Sequence, residues 1–99
     1  MLTSKQRAYL RGISQNLETI FQVGKGGITE EMCNQLSAAL EARELIKARV
    51  LDNSAYSAKD AAAEIASRIN CDIVSCVGSR FVLYRESEKK KKIELPRAK

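Results

Sequence analysis

Three of the chain's five glycines stand within four residues, at Gly24, Gly26 and Gly27, around Lys25. They follow a β-branched and aromatic run, Thr19 to Val23, and precede Ile28 and Thr29-Glu30-Glu31. Glycine weakens a fold unless the backbone needs positive φ or a close approach. Between a strand end and a helix start, backbone N–H groups point outward and the helix dipole favours an anion. The chemistry indicated is the holding of a phosphate by bare main chain, with Lys25 as a cation at the tip. Glu30 and Glu31 bring negative charge beside that site, and their role is read as steadying the first turn of the helix. A Walker A loop needs G-x-x-x-x-G-K-[ST], which this loop lacks. A dinucleotide fingerprint needs G-x-G-x-x-G, and Thr29 stands where its third glycine belongs. A tight β–α turn without any ligand is the plain alternative, because short glycine patterns are common.

Other chemistry is poorly supplied. The chain has no His, which removes the imidazole base, the Ser-His and Cys-His nucleophile pairs and the commonest metal ligand. Cys33, Cys71 and Cys76 form no C-x-x-C, and a C-x4-C pair with one distant Cys is a poor zinc frame. They are read as small buried apolar residues of a reducing cytosol. No base and nucleophile pair up convincingly, so the expectation is no catalytic residue, no metal site, no cofactor and no enzyme.

Ninety-nine residues with 44% hydrophobic side chains suit one domain with one core. No apolar run approaches the ~20 residues of a membrane span. Met1 to Arg11 lacks an apolar stretch and carries Lys5, Arg7 and Arg11, unlike a secretory signal. A cytoplasmic protein is expected. The formal charge of +5 is unevenly placed. Lys5, Arg7, Arg11 and Lys25 against Glu18 give residues 1–28 a net +3. Residues 29–84 carry −2, and residues 85–99, with Lys89 to Lys92, carry +4. Basic ends that met on one face would bind anions. The lysine run alone reads as a solubilising tail.

The elements that must position these groups follow from periodicity. Thr3 with Gln6 reads as a capping box, and Gln6, Leu10, Ile13 and Leu17 fall on one side of the helix it opens. That helix should end near Ser14 to Asn16. Arg7 and Arg11 share a face roughly 110° from the apolar stripe, with Lys5 on the opposite flank. Thr19 to Val23 reads as a strand. Thr29 caps a second helix, with Met32, Leu36, Ala39 and Leu40 as its stripe, ending near Arg43. Glu44 to Leu51 alternates: Ile46, Ala48 and Val50 face one way, Leu45, Lys47, Arg49 and Leu51 the other. Ser57 with Asp60 opens a third helix, whose narrow stripe is Ala61, Ala62, Ile65, Ala66 and Ile69. Asp72 to Val77 and Arg80 to Arg85 are strands joined by Gly78-Ser79, which suits a type II′ hairpin turn. The order α-β-α-β-α-β-β predicts an α+β two-layer sandwich with a mixed four-stranded sheet.

Gly-Lys-Gly-Gly fits G-x-x-G, the pattern with which KH-type domains clamp a nucleic-acid backbone. Further pieces follow in order: Thr3-Ser4-Lys5-Gln6-Arg7, Leu10-Arg11, Val23 to Thr29, Glu44-Leu45-Ile46-Lys47-Ala48-Arg49, Val82-Leu83-Tyr84-Arg85 and Ile93-Glu94-Leu95-Pro96. Together they resemble the CRM domain family (chloroplast RNA splicing and ribosome maturation), in its bacterial stand-alone, YhbY-type form. The resemblance covers nearly the whole chain. It implies a fold similar to the C-terminal domain of translation initiation factor three. It implies RNA binding through the G-x-x-G loop and the basic first helix, and a link to large-subunit pre-ribosomes in bacteria. Two positions depart from the family: Glu18 where a proline is frequent, and Arg43 where a histidine is. Neither touches the loop.

The expectation is therefore a non-catalytic RNA-binding domain over residues 1–85 with a basic tail over 86–99. It would act as a monomer on ribosomal RNA of large-subunit precursors during ribosome assembly. The amides of Gly26 and Gly27 and the second helix's N-terminus would hold phosphate, in the loop Gly24, Lys25, Gly26 and Gly27. Lys25, Arg7 and Arg11 would neutralise neighbouring phosphates, and Lys5 would extend the surface. Lys47, Arg49 and Arg85 are second-rank candidates, since exposed strand cations are usually just solvated. Tyr84 and Phe81 are aromatics that belong more naturally to a core than to a base-stacking platform. The rivals are a general DNA-coating protein and an interaction adaptor without a nucleic-acid role.

Overall fold

The computed structural model describes residues 2–89 and 91–96. The seven elements lie in the expected order. They are α1 (Ser4–Ser14), β1 (Thr19–Val23), α2 (Glu30–Arg43), β2 (Leu45–Val50), α3 (Ala58–Ile69), β3 (Asp72–Val77) and β4 (Arg80–Tyr84). Each helix starts where a hydroxyl satisfies an orphan amide. Thr3 Oγ1 accepts from Gln6 N at 3.1 Å, and Gln6 Oε1 returns the bond from Thr3 N at 3.1 Å, completing the capping box. Thr29 Oγ1 accepts from Met32 N and Ser57 Oγ from Asp60 N, both at 3.1 Å.

The sheet has the order β1-β2-β4-β3. β1 and β2 are parallel, and β4 is antiparallel to both β2 and β3. The hairpin thus folds back so that its second strand enters between β2 and β3. Gly78 has φ +60° while Ser79 stays out of the positive region, as a type II′ turn requires.

Alternation along the strands splits the core in two. On one face Val23, Ile46, Ala48, Phe81 and Leu83 pack with Leu36 and Leu40 of α2 and Ala61, Ala62 and Ile65 of α3. The alanines of α3 let that helix lie close to the sheet. This face supplies the two layers foreseen from the sequence. On the other face Leu45, Val74, Val82 and Tyr84 pack with Leu2, Leu10 and Ile13 from the α1 segment, and with Ile93 and Leu95 of the tail. So α1 partly covers the face on which Lys47 and Arg49 stand. Phe81 and Tyr84 are buried, and burial pushes the Tyr84 phenol up to about 12.

The cysteines are all free. Cys33 is buried as expected, Cys71 is half-buried, and Cys76 is exposed, near the hairpin end of edge strand β3. Among the described residues no helix is long and apolar enough to cross a membrane, and no group of metal-ligating side chains assembles.

The tail folds back on the body. Glu44, with no exposed surface, has a carboxylate that accepts from Ser87 N at 2.7 Å, Lys92 N at 2.6 Å and Ile93 N at 2.7 Å. Gln6 Nε2 donates to Pro96 O at 3.0 Å. Lys89, Lys91 and Lys92 of the basic run are exposed, and Lys91 pairs with Glu86 at 3.0 Å. Lys90, Arg97 and Lys99 lie outside the described residues.

Candidate nucleic-acid interface

The glycine loop closes on itself as a four-residue turn. Gly27 N–H donates to Gly24 O at 3.0 Å, so the Gly27 amide is not available to a ligand. The amides of Lys25 and Gly26 make no hydrogen bond among the described residues, and both residues are exposed. The unbonded amides of the turn are therefore those of Lys25 and Gly26, one position earlier than the Gly26 and Gly27 pair expected from the sequence.

The three glycines have different reasons to be there. Gly27 holds φ +73°, which L side chains rarely adopt, and a side chain on it would also meet Tyr56 at 3.6 Å. Gly24 is a close approach: a side chain would meet Leu51 Cδ1 at 3.3 Å and Asn53 Oδ1 at 3.7 Å. Gly26 has neither reason. Its φ is not positive, and a side chain there would meet nothing within 4 Å. The fold does not need glycine at Gly26, and the consequence of having it is bare, accessible main chain.

The loop crowns one end of the sheet. Val23 is in register with Val50, Leu51 N donates to Val23 O at 2.8 Å, and Val50 N donates to Ser79 O at 2.7 Å. The β1–α2 loop, the end of β2 and the β3–β4 hairpin therefore share that end. Lys47 and Arg49 lie on the α1 face of β2, in register with Val82 and Arg80 of β4. Arg11, near the C-terminal end of α1, joins Lys47 and Arg80 around one groove. Nothing in the sequence singles out Arg80. Its place opposite Arg49 depends on β4 inserting beside β2, which no local pattern in the sequence encodes.

The other candidates sit elsewhere. Arg7 is half-buried and its Nε donates to Ile73 O at 3.3 Å, which ties it to edge strand β3. Lys5 is exposed on the first turn of α1, beside Gln6, at the end of the sheet where the tail packs. It is thus remote from the loop. Arg85 is engaged internally: Nη1 donates to Ile69 O at 2.9 Å, and Nη2 to Ser37 O at 2.8 Å and Ser37 Oγ at 2.9 Å. Its guanidinium cross-links α2, the end of α3 and the end of β4.

Fold and loop together define a small α+β domain that presents a G-x-x-G turn beside a row of strand cations. Comparison with known proteins then places it. The CRS1 / YhbY (CRM) domain model matches residues 2–85, and the chain belongs to that family. It is 46% identical to the "Probable RNA-binding protein YqeI" of Bacillus subtilis (strain 168), over 97% of this chain and 100% of the relative. It is 32% identical to an "RNA-binding protein" of Haemophilus influenzae, over 97% of this chain and 96% of that one. Among solved structures it is similar to the solution structure of the hypothetical protein SAV1595 from Staphylococcus aureus. That match has a TM-score of 0.72 and 46% identity, and covers 97% of this chain and 100% of the other.

Proposed function

We propose that this protein is a non-catalytic, monomeric, cytoplasmic RNA-binding module that acts on ribosomal RNA of large-subunit precursors during ribosome assembly. The observation that carries the RNA-binding reading is Gly26: an exposed residue at the tip of the turn, with a free amide, whose lack of a side chain serves no need of the fold. A main chain open to close approach, preceded by the Lys25 ammonium and followed by the N-terminus of α2, is suited to a backbone phosphate. RNA binding in the names of relatives that match along nearly their full length supports the same reading. The ribosomal part rests on the family resemblance.

In this reading Lys25 and the amides of Lys25 and Gly26 hold one phosphate, in a loop shaped by Gly24 and Gly27. Arg11, Lys47 and Arg49 neutralise others across the sheet face. Arg7 and Lys5 contribute along α1. Contacts of this kind read backbone shape more than sequence, and their affinity falls steeply with salt. The experiment is sedimentation of cell extract containing the tagged full chain. The protein should travel with large-subunit precursors in low salt and leave them in high salt. Sedimentation with mature ribosomes only, or with no ribosomal particle, would refute the ribosomal assignment.

A further inference from the structure

Arg49 and Arg80 stand directly opposite each other across the β2–β4 ladder. Like charges at such a position repel. Neither has an acidic partner among the described residues, and Arg49 Nε is buried without a hydrogen bond. Beside them, between the C-terminal end of α1 and the sheet, runs a groove of about 260 Å³. Its cations are Arg11, Lys47 and Arg80, and no acid lines it.

The rest of the lining is of a different kind. Val82 is buried in the floor and Val77, 74% exposed, is an apolar patch at the rim. The Gln15 amide, at the C-cap of α1, and the Ser75 hydroxyl of β3 also line it. An anion alone would not need apolar floor or neutral donors and acceptors. A nucleotide needs all three: cations for its phosphate, an apolar surface for the face of its base, and amide or hydroxyl groups for its edges.

We infer that this groove receives one unpaired nucleotide of the bound RNA, with its phosphate at Arg80 and the other groove cations, Arg11 and Lys47, and its base on Val77 and Val82. The inference rests on the RNA-binding reading above and deepens it. The groove is walled by a helix end on one side and sheet on the other, which leaves room for a single nucleoside rather than a base pair. It opens at the same end of the sheet as the glycine loop, so one strand can follow from loop to groove. The protein would then favour RNA with a bulged or looped-out residue over continuous helix, a preference that the loop alone does not supply.

The test measures affinity of the full chain for two RNA hairpins, one perfectly paired and one identical except for a single unpaired nucleotide in the stem. Wild-type protein should bind the bulged RNA about tenfold more tightly. Ser75→Ile fills the groove with a residue suited to a strand, and Gln15→Ala removes the amide. Each should bring the two affinities to within about twofold of each other while leaving binding of the paired hairpin unchanged. Circular dichroism should show both variants folded. Equal binding of the two hairpins by wild-type protein overturns the inference, as does a preference that survives in both folded variants. Lys25→Asp/Gly26→Asp separates the two readings. A bulge preference that persists in it at undiminished affinity upholds the groove and refutes the loop.

Discussion

Glu44 Oε1 accepts the backbone N–H of Ile93 at 2.7 Å, joining residues 49 positions apart. Glu44 is the C-cap of α2 and holds φ +67°, a conformation that costs a non-glycine residue about 1–3 kcal/mol. Its carboxylate also holds Ser87 N and Lys92 N, so this one side chain pins the tail to the body. Glu44→Gln places an NH2 group against backbone donors. It should lower stability by about 2–4 kcal/mol in urea unfolding and free the amides of Lys92 and Ile93 to exchange.

The same clamp predicts a pH dependence. Burial pushes the Glu44 carboxyl up, but the N–H donors of Ser87, Lys92 and Ile93 and the nearby Lys91 charge outweigh it and hold the group below its ordinary 4.5. A depressed value means the stabilisation is present above the unfolded value and is lost as pH falls through the folded one. Amide exchange at Lys92 and Ile93 should therefore be slow at neutral pH and accelerate in acid, below the ordinary carboxylate range, relative to amides in β2. Protection unchanged down to unfolding would show that the ionised carboxylate does not hold the tail.

The three loop glycines should respond differently to alanine. Gly26→Ala fits without strain and should change stability by less than about 0.5 kcal/mol. Gly27→Ala forces an L side chain to positive φ and should cost about 1–2 kcal/mol. Gly24→Ala asks Leu51 to yield a few tenths of an ångström and should fall between them. Thermal unfolding of the three variants gives the order directly.

Arg85 should behave as a packing residue. Arg85→Ala leaves Ile69 O and the two Ser37 acceptors without their donor, and should cost about 1–3 kcal/mol. Affinity for RNA, measured below the transition, should stay within about twofold of wild type. The exposed Arg80 should show the reverse: little loss of stability and a marked loss of affinity.

The local code of the chain was readable. Thr3, Thr29 and Ser57 mark helix starts because a capping hydroxyl is a short-range signal, and Gly78 marks the hairpin because a II′ turn needs positive φ at that residue. What escaped the sequence was long-range. The inserted position of β4 set Arg80 against Arg49, and it depends on pairing between segments some thirty residues apart in the chain. Glycine content does not say which N–H closes the turn, so the sequence offers a ligand the Gly27 amide that the turn itself uses. Alternation gives the face of the strand on which Arg85 stands and not the carbonyls of α2 and α3 that surround it, so the sequence groups it with the exposed cations. Glu44 stood within the motif Glu44 to Arg49, yet nothing local marks a buried carboxylate whose partners are tail amides.

On the proposed reading, the open main chain at Lys25 and Gly26 holds RNA. The most direct test is the affinity of Lys25→Asp/Gly26→Asp for a structured RNA hairpin at two salt concentrations, with thermal unfolding of the same sample. Unfolding should stay within a few degrees of wild type. Affinity should be at least about tenfold lower in low salt, with a shallower dependence on salt as phosphate contacts are lost. A folded variant that binds with unchanged affinity and unchanged salt slope would contradict that reading.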